Sequence, residues 1–317
     1  MVNNMKILVT GVCGQLGHDV MNELYKRGFE GIGTDIAESY SGVADGTPVT
    51  KMPYVSLDIT DKEKVSKVIT DIKPDAVIHC AAWTAVDAAE DEENIPKVNA
   101  VNADGTKYIA ESCKETDCKM LYISTDYVFN GQGTEPWQED CKDFGPLSVY
   151  GQSKLAGEMA VENTLSKYFI VRIAWVFGVN GGNFIKTMLK VGKNRDKLTV
   201  VNDQIGTPTY TLDLARLLVD MVQTEKYGCY HATNEGGYIS WYDFAKEIFA
   251  KAYALGYDEY SPANLTVAPV TTAEYGISKA ARPFNSRLSK DKLVSNGFEP
   301  LPSWQDALER YLKEIEI

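Results

Sequence analysis

The chain has 317 residues, and with 44% hydrophobic residues it is long enough to bury a large core in one big domain or two fused ones. A formal net charge of -12 argues against the basic surface that binds nucleic acid or an anionic membrane, so neither partner is expected. Since no segment approaches the roughly 20 apolar residues of a membrane span and none resembles a leader peptide, we expect a cytoplasmic protein.

The first elements in chain order are a strand, a helix and a second strand. Residues 6–9 form a short apolar run, which is typical of a buried parallel strand. Apolar residues then recur at every fourth position up to Arg27, and the following Gly28 is a common helix stop, so this segment is predicted to be a helix. Residues 31–35 predict the second strand.

The same alternation continues through the first half of the chain. Thr60 and Glu63 have the spacing of a capping box, which predicts a helix that reaches Ile72. Further apolar patterns predict strands and one helix, namely strands over 76–80, 120–124 and 168–173 and a helix over 98–113. Strands that alternate with helices form a doubly wound parallel sheet, so the predicted fold class is α/β and Rossmann-like.

The pattern changes after Trp175, where loops rich in Gly, Asn and Pro separate the predicted helices. Two of these helices begin at Ser240 and Ser303, each with an aspartate three residues further on. We therefore expect a smaller α+β carboxy-terminal lobe. The predicted domains are 1–174 and 175–317, with a helix over 210–224 packed back on the first domain.

A glycine-rich turn joins the first strand to the first helix. Gly11, Gly14 and Gly17 recur at every third position in the segment TGVCGQLG. In this setting the first glycine permits a tight turn, the second lets the backbone approach a pyrophosphate, and the third lets the helix pack closely on the sheet. The amino terminus of the helix attracts the negative charge. The turn predicts a dinucleotide site, against the alternative of a glycine turn without a ligand.

Asp35 ends the second predicted strand. A carboxylate at this position accepts hydrogen bonds from the adenosine ribose hydroxyls and repels a 2′-phosphate, which favours NADH. No arginine directly follows Asp35, but Lys51 in the next loop offers a charge that can fold back toward a phosphate. NADPH therefore stays open as the alternative cofactor.

A tyrosine and a lysine one helical turn apart form a candidate catalytic pair. Tyr150 and Lys154 begin a predicted helix and project from one face of it. An ammonium beside a phenol lowers the tyrosine pKa from its ordinary value near 10, which would make Tyr150 a usable acid. Thr125 follows a buried strand, at the end of the sheet where ligands bind, and is a candidate partner of a reacting carbonyl. An ordinary exposed helix pair is the alternative for Tyr150 and Lys154 taken alone.

Several motifs together resemble a known family. The glycine turn and the segment YGQSK at 150–154 resemble the extended short-chain dehydrogenase/reductases. More selective motifs resemble the dTDP-4-dehydrorhamnose reductases and lie along nearly the whole chain: HCAAWTAVDAAED at 79–91, STDYVFNG at 124–131, NDQIGTPT at 202–209 and ARPFNSRL at 281–288.

The resemblance implies a dinucleotide-binding domain followed by a sugar-nucleotide domain, and reduction of the C4 ketone of dTDP-4-dehydro-L-rhamnose to dTDP-L-rhamnose with NADPH or NADH. Tyr150 would protonate the alkoxide, Lys154 would orient the nicotinamide ribose and Thr125 would position the carbonyl. The residues implied to contact substrate are Thr125, Asp126, Tyr127, Trp175 and Arg282. Those implied to bind cofactor are Gly11, Gly14, Gln15, Leu16, Gly17, Asp35, Asp58, Ile59, Ala82, Trp83, Thr84, Tyr150 and Lys154.

Two of these substrate assignments have structural alternatives. Arg282 has the fork geometry that binds phosphates in a bidentate manner, and equally the geometry to anchor the carboxy-terminal lobe through a carboxylate. Trp175 is suited to stack on the ligand, but a large aromatic side chain there is also ordinary domain-interface packing.

Other functions of the same fold stay open. A nucleotide-sugar epimerase would use Tyr150 and Lys154 but return the hydride to the sugar, and a diverged member of the family acts as a non-catalytic regulatory subunit that binds NADP. The intact Thr125, Tyr150 and Lys154 argue against the second alternative. The sugar-nucleotide 4,6-dehydratases carry glutamate where this chain has Tyr127, so the base for C6 elimination is missing.

No metal site is predicted. The six cysteines are scattered, without a CxxC pair or a histidine cluster, which indicates reduced thiols rather than zinc ligands. Some members of the family bind Mg²⁺ at an acidic dimer contact, and Asp19 is the only residue that the sequence offers for it. Monomer and homodimer both stay open.

Overall fold

The structure is a computed structural model that describes residues 5–44, 46–276, 278–315 and 317. The strands within these residues are β1 (Lys6–Thr10), β2 (Glu30–Asp35), β3 (Tyr54–Ser56), β4 (Ala76–His79), β5 (Lys119–Thr125), β6 (Tyr168–Ile173), β7 (Val176–Phe177), β8 (Lys197–Val201), β9 (Ile205–Gly206), β10 (Thr209–Tyr210), β11 (Gly228–His231), β12 (Ile239–Ser240) and β13 (Thr266–Val270).

The helices in the same described residues are α1 (Gln15–Lys26), α2 (Lys62–Ile72), α3 (Ile95–Asn99), α4 (Thr106–Glu115), α5 (Val149–Thr164), α6 (Phe184–Gly192), α7 (Thr211–Val222), α8 (Trp241–Ala254), α9 (Thr272–Tyr275), α10 (Asp291–Ser295) and α11 (Trp304–Glu314). A π-helical turn, Ala100–Gly105, joins α3 to α4.

A large parallel sheet forms the centre of the amino-terminal part. In the described chain it has seven strands in the order β11-β6-β5-β4-β1-β2-β3, and every neighbouring pair runs parallel. The order reverses between β1 and β4, which makes this point the switch where such folds bind ligands. The predicted doubly wound α/β fold is confirmed.

Helices cover both faces of this sheet, which explains why its strands are apolar runs rather than alternating ones. On one face, Ile7, Val9 and Ile78 pack with the buried sides of α1 and α7. On the other face, Leu8 and Val77 pack with α2, α4 and α5. The alternation of side chains along each strand therefore divides one apolar run between two buried layers.

Two local details differ from the sequence prediction. The amino-terminal cap of α2 is Asp61, whose side chain accepts a hydrogen bond from the Lys64 N–H, so the predicted Thr60–Glu63 capping box is wrong. Thr60 is occupied elsewhere, because its hydroxyl donates to the Asp58 carboxylate at 2.7 Å. The predicted helix over 98–113 is part of a longer helical segment that the π-helical turn interrupts.

The carboxy-terminal lobe has its own core and small sheets. A buried cluster joins α6, α8 and α11, with Phe244 and Tyr311 among its fully buried aromatic side chains. β8 pairs with β13 in parallel, and β9 pairs with β12 in an antiparallel bridge. Ser240 and Ser303 cap α8 and α11, as their spacing to an aspartate predicts.

Part of the chain after residue 174 belongs structurally to the large sheet. α7 packs against α1, where the sequence places a helix over 210–224. In addition, β11 pairs with β6 through Tyr230 and Val171, although the predicted boundary assigns it to the second domain. A four-residue strand gives too little local pattern to show that it pairs with β6 rather than with a neighbour.

The six cysteines are free thiols in the described residues, as predicted. Among the same residues, none of the helices combines the length and the apolar character that crossing a bilayer requires.

Candidate active site

A cleft of about 590 Å³ opens at the carboxyl ends of the sheet strands, beside the switch point between β1 and β4. It brings together side chains from both lobes. The predicted site residues that line it are Gly11, Gly14, Gln15, Leu16, Gly17, Asp35, Asp58, Ile59, Ala82, Trp83, Thr84, Thr125, Asp126, Tyr127, Tyr150, Lys154 and Trp175. Arg282 is not among the lining residues.

The glycine turn is built so that larger residues do not fit. Gly11 has φ +73°, and a Cβ there would lie 2.6 Å from the Ala81 nitrogen. A Cβ at Gly17 would lie 2.3 Å from the Gly11 carbonyl oxygen, so Gly17 lets α1 pack against the turn itself. Gly14 precedes α1 without a side chain to cap it, and the first turn holds no acidic residue. The N–H groups at this helix end therefore fit a pyrophosphate.

The Asp35 carboxylate stabilises the turn as well as lining the cleft. It accepts hydrogen bonds from the Cys13 N–H at 2.9 Å and the Ile36 N–H at 2.8 Å. Each carboxylate oxygen keeps a further lone pair for a ribose hydroxyl. Lys51 ends a short helical turn, Pro48–Lys51, and is not among the residues that line the cleft. Of these two charged side chains, only the Asp35 carboxylate lines the cleft, and its negative charge disfavours a 2′-phosphate.

The end of β5 carries three adjacent polar side chains. The Thr125 hydroxyl donates to the Asp126 carboxylate at 2.9 Å and accepts from the Tyr127 N–H at 3.2 Å. Burial raises the pKa of Asp126 to about 6, an effect that the neighbouring hydroxyls of Ser286 and Thr125 oppose. The Tyr127 and Tyr150 rings meet edge to face, with centroids 5.5 Å apart. The end of the cleft beside β5 is thus a polar wall in which Thr125 and Asp126 are buried.

Tyr150 and Lys154 lie on α5 as predicted, but the expected effect of the lysine on the phenol is not found. Burial, followed by the negative charge of Asp126, raises the pKa of Tyr150 above its ordinary value. The Lys154 Nζ donates instead to the Ile123 carbonyl oxygen at 2.7 Å and lies over the Tyr122 ring. Burial lowers the pKa of Lys154 to about 7, against the opposing charge of Glu158. The Lys154 side chain therefore does not lower the pKa of the Tyr150 phenol.

Asn102, which the sequence prediction missed, does not line the cleft itself but holds Trp83, which does. It lies in the π-helical turn and is buried. Its side chain accepts from the Trp83 N–H at 2.8 Å, and donates to the Trp83 carbonyl and to the Ser153 hydroxyl. It therefore joins the cofactor side of the cleft to the helix that carries Lys154. The local sequence gives no signal that distinguishes it, because Asn99 in the same helical segment is also an amide.

Trp175 lies on the cleft wall in a strained conformation. Its φ is +51°, in the left-handed region that a bulky residue rarely adopts. Its ring stacks on Trp241, the first residue of α8, with centroids 3.6 Å apart and planes at 14°. A Cβ at Gly206 would lie 2.9 Å from the same indole. Since one face of the Trp175 ring is covered by Trp241, stacking on a ligand is limited to the remaining surface.

The structure assigns Arg282 a protein partner. Its guanidinium donates to both oxygens of Asp87, at 3.0 and 2.8 Å. This is the carboxylate contact that the anchor alternative expects, and the contact of Arg282 with substrate stays a prediction.

Within the described residues, no group of three or more His, Cys, Asp or Glu side chains is arranged to hold a metal ion. Asp19, the acidic candidate, accepts a hydrogen bond from the Thr211 hydroxyl on α7 instead. This contact joins the first helix to α7.

Comparison with known proteins extends over almost the whole chain. A family model described as the RmlD substrate binding domain matches residues 5–317. The chain is 40% identical over 311 residues to a dTDP-4-dehydrorhamnose reductase of Aggregatibacter actinomycetemcomitans, an alignment that covers 96% of this chain and 97% of that protein. It is 37% identical over 309 residues to the spore coat polysaccharide biosynthesis protein SpsK of Bacillus subtilis, covering 98% of this chain and 97% of that protein.

The fold is similar to solved structures of the same kind. A dTDP-4-dehydrorhamnose reductase of Bacillus anthracis in complex with NADP has a TM-score of 0.84 and 38% identity, covering 98% of this chain and 100% of that one. An orthologue from Clostridium acetobutylicum has a TM-score of 0.86 and 38% identity, covering 99% and 100%. A UDP-glucose 4-epimerase of Thermus thermophilus, at 20% identity, shares the fold alone. The chain belongs to the dTDP-4-dehydrorhamnose reductase family.

Proposed function

We propose that the protein reduces the C4 ketone of dTDP-4-dehydro-L-rhamnose to dTDP-L-rhamnose with NADPH or NADH, as the last step of dTDP-rhamnose biosynthesis. The observation that carries the proposal is that Tyr150, Thr125 and the glycine turn all line the same cleft. A proton donor, a carbonyl-orienting hydroxyl and a pyrophosphate site in one cleft are the parts that a ketone reductase needs.

Each residue has a role that follows from its position. When bound, the reduced nicotinamide supplies the hydride for C4. Tyr150 donates the proton to the C4 oxygen, and its raised pKa keeps the phenol protonated until the oxygen becomes basic. Thr125 donates a hydrogen bond to the same oxygen. To do so, its hydroxyl must give up the hydrogen bond that it donates to Asp126. General acid catalysis of this kind contributes typically about 10²- to 10⁴-fold in rate.

Lys154 has the role of a positioning cation. It is buried beside the cleft, within reach of the Ile123 carbonyl at the end of β5. Acceptors from a ribose bound at this point would draw the Nζ from Ile123 and favour its charged form. The charged Lys154 would then stabilise the phenolate that Tyr150 becomes after proton transfer.

The cofactor choice depends on Asp35. A carboxylate at the end of β2 hydrogen-bonds a ribose and repels a 2′-phosphate, which supports use of NADH. The NADP in the Bacillus anthracis relative supports use of NADPH by the same fold. We therefore propose that the protein accepts both, with Asp35 limiting the affinity for NADPH.

We propose that residues 1–174, together with α7 and β11, bind the dinucleotide. The rest of 175–317 binds the sugar nucleotide. We propose a cytoplasmic enzyme whose partner is a small molecule, since the net charge of -12 opposes binding to nucleic acid. Sedimentation of the purified protein distinguishes a monomer from a homodimer.

The decisive experiment mixes purified protein with dTDP-4-dehydro-L-rhamnose and either NADH or NADPH. We expect one reduced cofactor to be consumed for each dTDP-L-rhamnose that is formed. An epimerase would change the sugar without net consumption of cofactor, and a regulatory subunit would bind cofactor without any turnover. Either result would overturn the proposal.

A further inference from the structure

A segment of the carboxy-terminal lobe crosses to the amino-terminal part beside the cleft. We call residues 278–286 the strap. Its first half contacts the segment that follows β4, and its second half contacts the loop after β5 and the strand β9. Both of these contact regions adjoin residues that line the cleft, namely Val86 and Tyr127.

The first half of the strap is held by one carboxylate. Asp87 accepts hydrogen bonds from the Ser278 hydroxyl, the Ala280 N–H and both terminal nitrogens of Arg282, at 2.8 to 3.2 Å. Burial disfavours the ionised form of Asp87, but the hydrogen bonds from Arg282 and Ala280 outweigh it and lower the Asp87 pKa below its usual range. Lys279 adds a second, more exposed ion pair with Asp91.

The second half of the strap is held by backbone contacts. The Asn285 N–H donates to the Gly131 carbonyl, and the Ser286 N–H donates to the Ile205 carbonyl, both at 2.8 Å. A Cβ at Gly131 would lie 2.5 Å from Pro283, so the two backbones approach closely. The strap therefore ends beside the end of β5, where Ser286 neighbours Asp126.

The two halves of the strap differ in how firmly they are attached to the rest of the protein. A backbone ladder with a close glycine contact fixes the second half, whereas the first half depends on charged side chains, chiefly on the partly exposed Asp87. We propose that Asp87, through Arg282, is a positioning residue that latches the strap against the amino-terminal part and so completes the sugar-nucleotide end of the cleft. Arg282 is then a tether for the strap and not a ligand of the substrate diphosphate. The identity of the substrate in this inference rests on the proposed function. The contact that latches the strap does not depend on it.

The latch and a direct diphosphate contact predict different kinetics. If Asp87 and Arg282 act as one unit, then Asp87→Asn and Arg282→Gln each raise the KM for the nucleotide sugar by about tenfold, and the double variant is no worse. We expect kcat to stay within about twofold and the NADPH affinity to be unchanged, because neither residue lines the cofactor side. Asp91→Asn, which breaks only the exposed pair with Lys279, is the matched control and leaves the KM unchanged.

A second measurement needs no turnover. Trypsin cleaves after Lys279, within the latched half of the strap. We expect Asp87→Asn and Arg282→Gln to accelerate this cut in the presence of NADPH, and saturating dTDP to slow it again. Arg282→Lys, which keeps the charge but loses the bidentate contact, should lie between wild type and Arg282→Gln.

The outcomes separate the two proposals. If the wild type fails to reduce the keto sugar but both variants expose Lys279, the proposed function fails and the latch stands. If Arg282→Gln weakens dTDP binding in calorimetry while Asp87→Asn does not, Arg282 contacts the diphosphate and the latch is overturned. Unchanged cleavage at Lys279 in both folded variants, with circular dichroism as the check on folding, also overturns it.

Discussion

The Lys154 Nζ donates its hydrogen bond to the Ile123 carbonyl oxygen at the end of β5, rather than to the Tyr150 phenol one turn earlier on α5. The lysine is buried, and burial lowers its pKa to about 7. A side chain in this state is ready to gain a proton when an anionic ligand with hydroxyl acceptors enters the cleft.

Cofactor binding is therefore expected to take up protons above neutral pH. The pKa of Lys154 is below its ordinary value in the free protein, so the group is mostly neutral at about pH 8 and mostly charged at about pH 6. Binding that raises this pKa takes up a proton at the higher pH and little at the lower one. Calorimetry of NADH binding in two buffers of different ionisation enthalpy measures the uptake.

The matched control for this experiment is Lys154→Met, which keeps the length of the side chain and removes the titrating group. The uptake at about pH 8 should disappear in this variant. The same uptake in Lys154→Met and in wild type would assign the proton to another group.

Replacing Tyr150 by phenylalanine removes the proton donor and leaves the ring in place. We expect Tyr150→Phe to lower kcat by about 10²- to 10⁴-fold, with the NADPH affinity within a few fold of wild type. Single-turnover absorbance of the reduced cofactor and fluorescence titration measure the two quantities. Near-normal turnover would show that another group delivers the proton. Tyr127→Leu, which removes the ring that Tyr150 meets edge to face, is the comparison for lost packing around Tyr150.

Asp35 is predicted to set the preference between the two cofactors. Asp35→Asn removes the charge and keeps one oxygen that can accept from the Cys13 N–H, whereas the hydrogen bond from the Ile36 N–H is lost. The ratio of kcat/KM for NADPH to that for NADH should rise about tenfold, because the repulsion of a 2′-phosphate is lost. Asp61→Asn, at the exposed cap of α2, is the control and should leave the ratio unchanged. An unaltered ratio in Asp35→Asn would mean that the carboxylate does not face the 2′ position.

The helix that carries Tyr150 and Lys154 is held by a buried ion pair. Arg172 on β6 donates to both oxygens of Glu158 on α5, at 2.9 and 2.7 Å, and both side chains are buried. Arg172→Met leaves the carboxylate buried without its partner, and should lower the free energy of unfolding by about 3 to 5 kcal/mol. Urea denaturation followed by circular dichroism measures it.

A control for the buried pair is the exposed pair of Lys167 with Asp117. Lys167→Met should leave the urea midpoint close to that of wild type, because water and salt screen the exposed charges. Equal losses in Arg172→Met and Lys167→Met would show that burial does not decide the strength of the Glu158 contact.

Several parts of the fold were predictable because their causes are local. The apolar run before Thr10 and the glycines after it specify a strand and a turn by their own conformational limits, and Gly11 has the positive φ that the turn requires. The strands β4, β5 and β6 were predictable for the same kind of reason, because each is a mainly apolar run of neighbouring residues. The cap of α2 was mispredicted because Thr60 had two local partners available, and Asp58 took its hydroxyl.

The sequence alone determined the alternation of strands and helices, the glycine turn and the spacing of Tyr150 and Lys154, since each depends on residues within a few positions of one another. The tertiary structure decided that β11 joins the large sheet beside β6 and that Lys154 faces Ile123. It also decided that Arg282 meets Asp87, far away in the chain. These partners were not predictable because a buried or charged side chain takes the contact that packing brings within reach. Packing depends on every element at once rather than on the local pattern.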